Sequence, residues 1–85
     1  MAHALKTWPE YFKECTSGKK NFEVRKADRP FQVGDTVILH EYDPERKQYT
    51  GYKFKFQIGY ILLGPAFGIK KDYCVMSMVE ISEQY

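Results

Sequence analysis

The sequence predicts an α+β fold: a small β-barrel of five or six mostly antiparallel strands, with one N-terminal helix packed at its side. Three observations predict it. Four apolar residues recur at helical spacing near the N-terminus, and nowhere else does that period last. Most of the remaining chain alternates polar and apolar residues in short runs rich in β-branched and aromatic side chains. Finally, 85 residues suffice for one domain, and a strongly bent sheet lets a chain that short bury one face and manage its strand edges. A single domain over residues 1–85 follows. Aromatics make up 16% of the chain, so a small core gains area from few positions.

The elements follow in order. His3 to Lys6 reads as a short edge or barrel strand. Thr7-Trp8-Pro9-Glu10 fits a capping box, with Thr7 as cap and Pro9 in the first turn, where its missing N–H does no harm. Trp8, Tyr11, Phe12 and Cys15 form one apolar stripe, which predicts a helix from about Trp8 to Ser17. Gly18 is placed to end it in a left-handed conformation. Asn21 to Lys26 alternates and reads as a strand, and Asp28-Arg29-Pro30 breaks it. Phe31 to Asp35 forms a turn with Gly34-Asp35 at its tip. Thr36 to Tyr42 reads as a central strand ended by Asp43-Pro44, and the polar segment Glu45 to Thr50 as an exposed hairpin loop closed by Gly51. Tyr52 to Leu63 is the longest strand signal, and Gly59 breaks its period as a bulge would. Gly64 to Asp72 reads as a loop, Tyr73 to Ile81 as a last strand and Ser82 to Tyr85 as a frayed tail.

Thirteen basic residues stand against eleven acidic ones, for a net charge of +2 that neither demands nor excludes a nucleic-acid partner. The distribution is more telling. Between Lys13 and Arg29, six cations (Lys13, Lys19, Lys20, Arg25, Lys26, Arg29) face three acids (Glu14, Glu23, Asp28), a local excess of +3. Cys15 and Cys74 are far apart and have no histidine at ligand spacing, so no metal and no cofactor are expected. Both read as reduced, near-core thiols. With no export signal and no membrane-length apolar run, the expectation is a cytoplasmic protein without a membrane partner.

The segment richest in chemistry is Gly18-Lys19-Lys20-Asn21-Phe22-Glu23-Val24-Arg25, which reads G-x-K-x-x-E-x-R. It sits where the helix stops and a strand begins. The strand sends Phe22 and Val24 to one face, Glu23 and Arg25 to the other, so a lysine, a carboxylate and an arginine gather at one junction. Lys20 offers an amine for a phosphate or carbonyl, or a base or nucleophile if it loses its proton. Glu23 offers an acceptor for a base edge or a proton carrier, and Arg25 a bidentate phosphate clamp or a stacking plane; a purely structural Glu23–Arg25 ion pair is the rival reading. Lys19, Lys26 and Arg29 are candidate phosphate contacts. Tyr42 is a candidate to border the site as a stacking ring, with core packing as its rival reading, and His3 by its chemistry alone reads as a surface or satisfied histidine. Lys53 and Lys55, interleaved with Phe54 and Phe56, fit nucleic acid and an ordinary amphipathic strand equally.

This motif resembles the signature of the ASCH domains, which share the PUA-like barrel. With His3-Ala4-Leu5-Lys6, Phe31-Gln32-Val33-Gly34-Asp35 and Glu41-Tyr42-Asp43-Pro44 the chain resembles, along nearly its whole length, the DUF3850 family of small bacterial and phage proteins. The resemblance implies a PUA-like fold and binding of RNA or a modified nucleotide in a cleft lined by the motif, with His3, Lys19, Lys20, Glu23, Arg25, Lys26, Arg29 and Tyr42 as its residues. It also implies an alternative, a small amidohydrolase acting on an acylated nucleoside such as N4-acetylcytidine, with Lys20 and Glu23 in the catalytic roles. The related enzyme carries threonine where this chain has Glu23 and a glutamate from a later strand, where Glu80 is the only acid. That departure weighs toward binding. A non-catalytic protein-interaction module, its partner open, is the third reading.

Overall fold

The computed structural model describes residues 1–81; the expected tail, Ser82 to Tyr85, lies outside them. The chain runs β1 (Ala2–Thr7), α1 (Pro9–Thr16), β2 (Phe22–Lys26), β3 (Thr36–Asp43), β4 (Gln48–Leu63), β5 (Tyr73–Glu80). The strands form one curled sheet in the order β1-β3-β4-β5-β2. β1 pairs parallel to β3, and the other three pairings are antiparallel. The sheet therefore ends at β1 on one side and β2 on the other. It is a half-barrel whose ring is not closed by strand pairing. The core lies in its concavity: Leu5, Val37, Leu39, Phe56, Ile58, Cys74 and Met76, covered by Phe12 and Cys15 of α1.

Two irregularities bend the sheet where glycine permits it. Between Ile58 and Ile61 of β4 the register against β5 slips by one residue, around Gly59. A Cβ there would lie 2.7 Å from Val79 Cγ2 and 2.8 Å from Ser77 Oγ, so the bulge demands the missing side chain. Between His40 and Tyr42 the register against β4 also shifts, opposite Gly51 with φ +97°.

Three sequence expectations need correction. The capping box does not form: Trp8 occupies the N-cap without a side-chain bond, because Thr7 is the last residue of β1. The hairpin loop is shorter than expected. Asp43 Oδ1 accepts the N–H groups of Glu45 (3.0 Å) and Arg46 (3.3 Å), which closes the turn early and lets Gln48 and Tyr49 pair back onto Asp43 and Tyr42. The apolar stripe of α1 also divides: Phe12 and Cys15 are buried, whereas Trp8 and Tyr11 are half exposed. At the other end the helix stops as expected, with Gly18 at φ +82° and its N–H on Cys15 O. Among the described residues no helix is long and apolar enough to cross a membrane.

Candidate functional site

The site forms at the seam between the two sheet edges. After Gly18, the Lys20 N–H donates to Glu14 O (2.9 Å), which fixes the chain as it turns from α1 into β2. β2 then alternates, and the side it turns inward is the charged one. Glu23 is 3% exposed, while Phe22 and Val24 face outward.

Burying a carboxylate costs several kcal/mol unless it is paired and hydrogen-bonded. Glu23 is paired on both oxygens. Lys20 Nζ donates to Oε1 at 2.6 Å and Arg25 Nε donates to Oε2 at 2.8 Å. Lys20 Nζ also donates to Phe22 O (2.8 Å) and lies 3.9 Å from Cys15 Sγ. The rest of the Arg25 fork crosses the seam: Nη2 donates to Lys6 O (2.8 Å) and reaches Thr7 Oγ1 (3.4 Å) on β1. A second arginine makes a longer bridge in the same direction, Arg29 Nη1 to Ala4 O at 3.5 Å. Side-chain donors thus occupy edge carbonyls where a strand partner would sit, which blunts the exposed edges. Burial raises the Cys15 thiol, opposed by the adjacent Lys20 ammonium, and burial likewise raises Cys74. Both stay protonated at neutral pH, so neither is poised as a nucleophile.

Beside this ion network opens a cleft of about 490 Å³. Trp8 and Tyr11 from the start of α1 and Tyr73 from β5 line it, with exposures of 48%, 51% and 39%. Lys6, Lys20, Arg25 and Lys26 add four cations against the single carboxylate of Glu23. Lys20 also borders a second cleft of about 340 Å³, walled by Cys15, Phe54, Phe56 and Met78 and reached by Glu80. Among the described residues no group of three or more His, Cys, Asp or Glu side chains could hold a metal ion.

Of the residues singled out from sequence, Lys20, Glu23, Arg25 and Lys26 come together at this cleft. Tyr42 stands one step back, its ring 4.1 Å from the Lys6 ammonium. Lys19 is exposed and does not line the cleft, and Arg29 packs toward Phe31 and β1. His3 lies elsewhere. It is buried, edge-on to the ring of Phe31, with Nε2 2.8 Å from Asp35 Oδ2. Lys6, Trp8, Tyr11 and Tyr73 were missed. Trp8 and Tyr11 open the helical stripe, and an apolar stripe reads as core before it reads as a cleft wall.

The comparison with known proteins rests on most of this architecture. Residues 2–78 match the family described as Domain of unknown function (DUF3850). The chain belongs to that family. This DUF3850 chain is also similar to a protein of Escherichia phage P2 described as "Uncharacterized 12.9 kDa protein in GpA 3'region". The two are 41% identical over 56 residues, 66% of this chain and 50% of the phage protein. The chain thus spans about half the length of that curated relative.

Proposed function

We propose that this DUF3850 chain is a PUA-like domain of the ASCH type that binds RNA or a nucleotide in the cleft between α1 and the seam, in a cytoplasmic setting. One observation carries the reading: three partly exposed aromatic rings and four cations converge on a single cleft that holds one carboxylate, itself already paired. Bases stack on such rings whatever their identity, and cations meet the phosphates. Glu23 holds the cations in place rather than competing with the ligand.

The hydrolase alternative needs Lys20 as base or nucleophile. Its Nζ is held at once by a carboxylate, a carbonyl and a thiol, which ties it to the wall of the cleft rather than aiming it at a ligand. The geometry therefore supports binding over catalysis.

Trp8 is the only tryptophan in the chain, so its emission reports on the cleft directly. Titration with a single-stranded oligoribonucleotide at low salt is expected to quench Trp8, with affinity falling as salt rises. Lys26→Ala should shallow that salt dependence. An unchanged Trp8 spectrum at saturating RNA, with no retention of RNA on the immobilised protein, would refute the reading.

A further inference from the structure

The four cations of the cleft are not equivalent, and the difference bears on what the ligand must carry. Lys20 and Arg25 are committed: each donates to Glu23 and to a backbone carbonyl. Together with Glu23 they leave a surplus of one positive charge. Lys26 has no polar partner among the described residues, and the Lys6 ammonium has only the ring of Tyr42. A cation over a ring keeps its N–H donors available, and the Lys6 backbone is held by Arg25. Lys6 stands on β1 and Lys26 on β2, so the two uncommitted residues belong to the two strands that flank the seam, and both line the cleft. Lys26 pairs in register with Tyr73, and the Lys6 ammonium lies over Tyr42, so a ring stands beside each cation, while Trp8 lines the same cleft.

Charge and size then narrow the ligand. The lining carries a net charge of +3, four cations less one carboxylate, in a space of about 490 Å³. That volume lies at the lower end of small-ligand sites. An internal phosphodiester brings one negative charge per nucleotide, and a neutral nucleoside brings none. A phosphate monoester brings about 1.5 to 2 charges at pH 7 and three acceptor oxygens. We propose that the cleft recognises a nucleotide with a terminal phosphate monoester, the phosphate between Lys6 and Lys26 and the base on Trp8. The inference rests on the nucleotide-binding reading and specifies the ligand of that same site. It applies equally to a free mononucleotide and to the phosphorylated end of an RNA.

Calorimetric titration tests it with the four ribonucleosides, their 5′-monophosphates, and one short oligoribonucleotide bearing either a 5′-hydroxyl or a 5′-phosphate. The monophosphates are expected to bind at least tenfold tighter than the nucleosides, and the phosphorylated oligomer to show a similar advantage if an RNA end is the source. Tight monophosphates with weak oligomers identify the free nucleotide instead. Lys26→Ala and Lys6→Ala should each remove about tenfold of the phosphate advantage, the scale of one charge-assisted bond, by weakening monophosphate binding more than nucleoside binding. Both side chains are exposed, and Lys6→Arg should restore binding if a fold defect is not the cause. Equal binding of hydroxyl and phosphate forms overturns the proposal while leaving the nucleic-acid reading intact. Absence of binding by every probe overturns both.

Discussion

Glu23 is the residue on which the site turns. It is the member of the Lys20–Glu23–Arg25 network sealed from solvent, whereas both cations keep part of their side chains in water. Loss of the carboxylate charge leaves two cations facing each other across a neutral group. Glu23→Gln weakens both charge-assisted bonds at once, each worth about 1.5–3 kcal/mol, a large share of the roughly 5–15 kcal/mol that stabilises a small domain. Glu23→Gln should therefore destabilise far more than Lys20→Met, which leaves Glu23 its Arg25 partner. Urea denaturation of the two variants checks the order, and equal costs would contradict it. The arrangement also explains what was legible at this scale. The spacing of Glu23 and Arg25 read correctly as a shared face. Which face turns inward did not, since Phe22 and Val24 are the apolar pair and yet point outward. Apolarity decides the inner side where a strand lies on the core. β2 lies at the seam, where ion pairing offsets the cost of burying charge, and local rules fail most readily at such sites.

At the scale of elements, the seam is the unusual feature. β1 and β2 end the sheet, and the connection between them runs through Arg25, from Glu23 on its own strand to Lys6 O and Thr7 Oγ1 on the other. Arg25→Met keeps the aliphatic stem and removes the donors. It is expected to cost about 1–3 kcal/mol, the range for a charged hydrogen bond left unmade, and to speed amide exchange in β1 and β2 while β3 to β5 stay protected. Uniform acceleration across all strands would show that Arg25 is not a local clasp. The strands themselves were largely readable, because alternation and the breakers Pro30, Gly34 and Pro44 mark them, and the Gly59 bulge falls where the period breaks. The early hairpin closure at Asp43 was not, since it depends on a side chain bonding two turn amides.

For the whole molecule, the His3–Asp35 pair anchors the opposite end of β1 from the cleft. The hydrogen bond with His3 lowers the Asp35 carboxyl below its ordinary value, helped by the Gln32 N–H and the Met1 amine and opposed by burial. A depressed native value means stability that is present above the unfolded aspartate value of about 3.9 and lost as pH falls through the lower native one. The unfolding free energy should therefore drop in that acid window, and Asp35→Asn should flatten the drop; an identical acid slope in the variant would exclude Asp35 as its source. His3 was legible as a special residue but not as this one, because Asp35, its partner, lies 32 positions away in the chain.

The proposed binding surface is the seam cleft. Amide chemical-shift mapping during titration with a short 5′-phosphorylated oligoribonucleotide tests it most directly. Shifts are expected to concentrate at Lys6, Trp8, Tyr11, Arg25, Lys26 and Tyr73, lining the cleft of about 490 Å³. Shifts confined instead to the sheet surface around Tyr52, Tyr60 and Val79, or none at saturating ligand, would exclude the cleft as that surface.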